Sequence, residues 1–130
     1  VSRGTGRVLV VEDDESLRQI LARYLRGQGL AVSDVASAED AARALDDGLR
    51  PQVIVLDVNL PGDNGWDLLR GPAFAEAGRP AVVIASAISV NPRRLAEFGI
   101  AGYLPKPFAI ETLAATIDRL LTPAATAEEA

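Results

Sequence analysis

The 130-residue chain predicts a doubly wound α/β domain: a five-stranded parallel sheet in the order 2-1-3-4-5, with helices on both faces. Three observations point there. Apolar runs alternate with amphipathic helical stretches, as in strand–helix units joined by crossovers. Three of the runs, "RVLVV", "PQVIVLD" and "AVVIAS", are apolar almost without interruption, which is how strands read when both faces are covered. Polar residues follow directly after those runs, where ligands bind in open α/β sheets.

Each element has its own warrant. Arg7 to Val11 is a β-branched run and forms the first strand. Leu17, Ile20, Leu21, Tyr24 and Leu25 then repeat at helical spacing, and Gly27 and Gly29 end that helix. Ala31 to Ala36 alternates as a short second strand. Ser37 is placed to cap a helix, with Asp40 three residues on and Gly48 just past its end. The third strand ends at Asp57; "NLPGDNG" is loop chemistry, and "WDLLR" begins a short helix. Ala81 to Ser86 is the fourth strand, and Pro92 opens a helix through "RRLAEFG". "AGYLP" makes a short fifth strand, with Pro105 tolerable on an edge, and "AIETLAATIDRLL" makes the last helix. Residues 1–6 read as a trimmed or added, disordered end, 7–121 as the domain, and 122–130 as a tail or the start of a linker.

Composition narrows the chemistry. Neither Cys nor His occurs, which removes disulfides, thiolate and imidazole metal sites, and histidine catalysis. A net charge of −5 argues against direct nucleic-acid binding. The apolar runs are far too short to span a membrane. Gly4 and Gly6 form G-x-G ahead of the first strand, where a dinucleotide loop does not belong.

The predicted topology gathers the chemistry-bearing residues at one sheet edge. The first strand runs into Glu12, Asp13, Asp14 and Glu15, the third into Asp57, the fourth into Ser86, and the fifth into Lys106. Twelve of the thirteen basic residues are Arg, and Lys106 is the single Lys. Each has an ordinary alternative: the acids can cap a helix, Asp57 and Ser86 can be turn residues, and Lys106 can be a solvated charge. Asp14 and Glu15 are assigned to capping. Tyr103 and Phe108 are expected in the core, with Trp66 on a rim. Together, however, Glu12, Asp13 and Asp57 carry more charge than one ammonium offsets, and an all-oxygen set of few protein ligands suits Mg²⁺. A carboxylate beside Mg²⁺, a hydroxyl and an ammonium can stabilise a transferring phosphoryl group, with an Asp as nucleophile.

Four segments, "VLVVEDDESLR", "VIVLDVNLPGDNGWDLLR", "VVIASA" and "GYLPKPF", occur in order and together resemble the receiver domain of bacterial two-component response regulators, over residues 7 to 121. The resemblance implies a phosphoacceptor Asp57. It implies direct Mg²⁺ ligation by Asp13, Asp57 and the Asn59 backbone carbonyl, with Glu12 acting through a metal-bound water. Ser86 would donate to the phosphoryl group, with small Ala87 leaving access. Lys106 would pair with Asp57, across a cis Lys106–Pro107 peptide. Tyr103 resembles the switch aromatic that turns inward as Ser86 moves. Ser stands at position 86, where the family often has Thr.

The function implied is regulatory and cytoplasmic. A histidine kinase or phosphotransfer protein, docking around Leu17 to Leu21, would phosphorylate Asp57 in a Mg²⁺-dependent, self-catalysed reaction. Slow autodephosphorylation would follow, at a rate influenced by Asn59 and Ile88. The fourth helix, fifth strand and last helix would then switch, engaging a downstream protein, an output domain or a second copy. Two alternatives compete: a haloacid-dehalogenase-like phosphatase, which wants an acid where Asn59 stands, and a non-phosphorylated pseudo-receiver.

Overall fold

The computed structural model describes residues 6–62 and 64–122. Its five strands are β1 (Arg7–Val11), β2 (Ala31–Val35), β3 (Val53–Leu56), β4 (Ala81–Ser86) and β5 (Gly102–Pro105). They form a single parallel sheet in the order β2-β1-β3-β4-β5, as the sequence predicts. The helices are α1 (Glu15–Gly27), α2 (Ala38–Asp46), α3 (Gly65–Arg70), α4 (Pro72–Glu76), α5 (Pro92–Glu97) and α6 (Ile110–Leu121).

The central strands read as unbroken apolar runs because successive side chains serve opposite faces. Val8, Val10, Val53, Val55, Val83 and Ala85 point one way and pack with Leu21 and Leu25 of α1 and Leu113 and Ile117 of α6. Leu9, Val11, Ile54, Leu56, Val82 and Ile84 point the other way, onto Ala41 and Leu45 of α2, Leu68 and Leu69 of α3, and Phe74 of α4. Burying one such aliphatic side chain contributes about 1.5–3 kcal/mol. A polar residue at any of these positions would therefore break one layer of the sandwich.

The punctuation holds locally. Asp14 and Ser37 cap α1 and α2 by accepting from Leu17 N and Asp40 N. Gly29 and Gly48 beyond those helices have φ of 92° and 109°, a region open to glycine. Asn91 caps α5, with Pro92 in its first turn.

Two details differ from the sequence reading. The sequence reads one short helix beginning at "WDLLR"; the structure has two, because the chain turns at Gly71 and starts α4 with Pro72, which supplies a preset φ and lacks an N–H that would go unbonded there. Trp66 is not on a rim. Only 9% exposed, it joins the Leu9–Ile84 cluster together with Leu68 and Leu69 of the same helix. Tyr103 and Phe108 are half-buried at the edges of the two clusters. The expectations for residues 1–5 and 123–130 lie outside the described residues. Among the described residues no helix is long and apolar enough to cross a membrane.

Candidate functional site

The register of the sheet places the polar residues. Val35, Val11, Leu56, Ile84 and Tyr103 lie side by side across the five strands. One step further along, the ladder continues through backbone bonds from Glu12 N to the Val35 carbonyl and from Asp57 N to the Val11 carbonyl, both at 3.1 Å. Lys106 N donates to the Ser86 carbonyl at 2.9 Å, which ties the end of β5 to the end of β4. Residues separated by dozens of positions thus share one edge of the sheet because their strands stop at one level.

Glu12, Asp13 and Asp57 each present a carboxylate oxygen within 4.8 Å of the others. Glu12 and Asp57 are buried, at 3% and 6% exposure, while Asp13 faces solvent. This donor set is all oxygen and dense in negative charge, with one open side. It fits a hard divalent cation such as Mg²⁺, which keeps several of its waters.

Lys106 closes the other side. Its Nζ donates to Glu12 Oε1 at 2.7 Å and to Asp57 Oδ2 at 3.1 Å, and its side chain is 19% exposed. The sequence led us to pair Lys106 with Asp57; the structure shares it, with Glu12 the shorter contact. Glu12 Oε2 accepts from Asp14 N, and Asp57 Oδ1 accepts from Asn59 N, so all four oxygens of the two buried acids are held.

The protonation balance follows from this geometry. Burial pushes the Glu12 pKa above its ordinary value; the bonds from Lys106 and Asp14 oppose that rise without cancelling it, and the Asp57 charge adds to it. For Lys106, burial pulls the other way, but the hydrogen bonds to Glu12 and Asp57 and their charges outweigh it, and its pKa is raised. The two directions are compatible. One ammonium serves two carboxylates, so the cation is over-supplied with negative charge while the more buried acid is under-supplied with positive charge.

Ser86 is fully buried at the end of β4, its Oγ 3.4 Å from Ile88 N. Ala87 and Ile88 beyond it are exposed. Tyr103 directs its hydroxyl outward, donating to the Ile88 carbonyl at 3.2 Å. The Lys106–Pro107 peptide is cis, as expected. The backbone of Asn59 sits beside Asp57.

Two residues of this neighbourhood escaped the sequence reading. Gly65 packs so closely on the segment after Asp57 that a Cβ would stand 2.8 Å from Val58 Cα and 3.1 Å from the Asp57 carbonyl oxygen. Arg18, on α1, donates to the Glu12 carbonyl at 2.9 Å. A glycine opening a helix and an arginine on an amphipathic helix carry no local signal of such contacts.

Comparison with known proteins gives the family and the fold. The response regulator receiver domain family matches residues 8–118. The DNA-binding response regulator MtrA of Mycolicibacterium paratuberculosis is 37% identical over 112 residues, covering 85% of this chain and 49% of MtrA. The chain thus spans about half the length of the curated relatives it matches. Among solved structures, the signal receiver domain of a Vibrio parahaemolyticus protein described as a LuxO repressor superimposes with a TM-score of 0.81 at 27% identity, covering 95% of each chain. The chemotaxis response regulator CheY4 of Vibrio cholerae does so with a TM-score of 0.76 at 29% identity, covering 90% of this chain and 99% of CheY4.

Proposed function

We propose, from the premise that this chain belongs to the response regulator receiver domain family, that it accepts a phosphoryl group on Asp57 from the phosphohistidine of a histidine kinase or phosphotransfer protein. The observation that carries the reading is the meeting of Glu12, Asp13 and Asp57 within 4.8 Å, with Lys106 bonded to the two buried acids.

Asp13, Asp57 and the Asn59 carbonyl would hold Mg²⁺, with Glu12 reaching it through water. When bound, the ion supplies positive charge against the phosphoryl oxygens. The side chains do the rest. A carboxylate oxygen of Asp57 attacks phosphorus as the P–N bond breaks. The bonding pair returns to the imidazole nitrogen, and the donor ring, already protonated on its other nitrogen, leaves as neutral imidazole. The lone pairs of Asp57 are held by Asn59 N and Lys106 Nζ, which aim the carboxylate and limit its rotation. Lys106 and the hydroxyl of Ser86 then meet the charge of the new acyl phosphate.

The readout would be the face made by α5, β5 and α6. Ser86 bonding to the phosphoryl group would leave Ile88 N, and Tyr103, now held to the Ile88 carbonyl, would turn inward. That face would engage a downstream protein, an output segment or a second copy of the chain. The kinase would dock along α1, where Ile20 is 58% exposed. The domain would also hydrolyse its own phosphate slowly, with Asn59 and Ile88 flanking the path of water. A net charge of −5 disfavours direct nucleic-acid contact by this domain, and a cytoplasmic setting suits the phosphodonor.

Intact mass after incubation with Mg²⁺ and acetyl phosphate tests the proposal. Wild type gains one phosphoryl group, Asp57→Asn gains none, and EDTA prevents the gain. Equal uptake by Asp57→Asn, or none by wild type, overturns it.

A further inference from the structure

The guanidinium of Arg18 bridges the turn that carries two of the clustered acids and the edge strand β2, which has no direct part in the acidic site. Its Nη1 donates to the Glu12 carbonyl at 2.9 Å, and its Nε donates to Asp34 Oδ2 on β2 at 3.1 Å. Asp34 is held in turn by Arg26, whose Nη2 lies 3.2 Å from Asp34 Oδ1 and 3.0 Å from the Val32 carbonyl. The Arg18 side chain is only 15% exposed. Glu12 and Asp13 lie past the end of β1. The Glu12 N–H continues the ladder to the Val35 carbonyl, and the Glu12 side chain is held by Lys106 and by Asp14 N. Among the described residues Arg18 is the side chain that holds the Glu12 carbonyl.

We infer that Arg18 is a positioning residue for the cation site: it fixes the turn carrying Glu12 and Asp13, and thereby sets divalent-cation affinity. The inference rests on the reading of Glu12, Asp13 and Asp57 as that site. Two physical effects of Arg18 have opposite signs. A cation near an acidic cup repels a second cation, so its charge alone would weaken Mg²⁺ binding. Its two directed bonds hold the ligand turn in one geometry, which strengthens binding by reducing what must be ordered. Asp34 pairs with both Arg18 and Arg26 and so offsets only part of the Arg18 charge; the two directed bonds outweigh the remainder. A lysine would keep the charge, but as a point donor on a flexible stem it would not reproduce a fork bridging Glu12 and Asp34.

Calorimetric titration of the full chain with Mg²⁺, without phosphodonor, decides between these effects. Arg18→Met and Arg18→Lys should both bind about tenfold more weakly than wild type. Asp34→Asn, which loosens Arg18 without touching the turn, should shift affinity the same way by a smaller factor. With acetyl phosphate, the Mg²⁺ concentration for half-maximal phosphorylation should rise in parallel while the rate at saturating Mg²⁺ is retained, a split that general loosening of the fold would not produce. Wild-type affinity in Arg18→Lys, or tighter binding in Arg18→Met, overturns the inference and leaves Arg18 a charge or a structural tie. No Mg²⁺ binding by wild type would overturn the cation-site reading itself, and the inference with it.

Discussion

Lys106 Nζ donates to Glu12 Oε1 at 2.7 Å across 94 positions of sequence, and the same ammonium reaches Asp57 at 3.1 Å. One cation thus holds two buried acids contributed by two different strands. Several measurable consequences follow from that arrangement and from the packing around it.

Replacing Lys106 by Met should leave Glu12 and Asp57 buried without their ammonium. Breaking a buried pair costs about 3–5 kcal/mol, and the partial exposure of Lys106 reduces that to about 2 kcal/mol. Mg²⁺ should restore more stability to Lys106→Met than it adds to wild type, since the ion offsets the same charges. Urea unfolding in EDTA and in Mg²⁺ checks both statements; equal Mg²⁺ effects would refute the second.

Glu12→Gln should behave in the opposite sense without metal. The raised pKa of Glu12 means that the folded chain binds more protons than the unfolded chain in a window that opens near 4.5. Stability in EDTA therefore falls as pH rises through that window, and the neutral amide should remove this slope. Lys106 is raised above 10.5, so its contribution is fully present below that value and is lost as pH climbs through its folded pKa. Thermal midpoints of wild type and Glu12→Gln from pH 4 to pH 11 would show the first slope in wild type only.

Gly65→Ala sets helix propensity against space. Gly65 is the first residue of α3, so Ala gains less than the roughly 0.5–1 kcal/mol of a helix interior, while an added methyl in a packed site costs about 1–3 kcal/mol. Here the Cβ meets Val58 Cα at 2.8 Å, a backbone atom that moves only by shifting the segment after Asp57. We expect net destabilisation of about 1–2 kcal/mol and slower phosphoryl uptake, read by chemical unfolding and intact mass.

Trp66 should report on α5. It stacks against Phe98 at 5.0 Å with Arg94 over its ring at 5.2 Å, while Arg70 lies 5.3 Å from the Phe98 ring. Phe98→Leu should cost about 1–2 kcal/mol and alter the emission of the chain's single tryptophan. A double-mutant cycle with Arg94→Gln should show coupling between the two sites; strict additivity would mean that the rings and cations act independently.

Much of the molecule was legible in one dimension. Strand order followed from which runs were apolar throughout, and the cap at Ser37 and Pro92 in the first turn of α5 follow local rules that act within three or four residues. Gly29 and Gly48 are positioned by the same short-range chemistry. The site residues were found because parallel strands stop at a common edge. Any polar residue directly after a buried run is delivered there, whatever its distance along the chain.

What the amino-acid order by itself determined was therefore the alternation of elements, the sheet topology and the membership of the acidic edge. Only the tertiary structure decided who touches whom: Lys106 shared between Glu12 and Asp57, Arg18 on the Glu12 carbonyl, Trp66 inside rather than at the rim, and Gly65 against Val58. The physical reason is range. Periodicity and capping are properties of a few consecutive residues, whereas a hydrogen bond or a 2.8 Å approach depends on where two elements come to rest against each other after the core has closed.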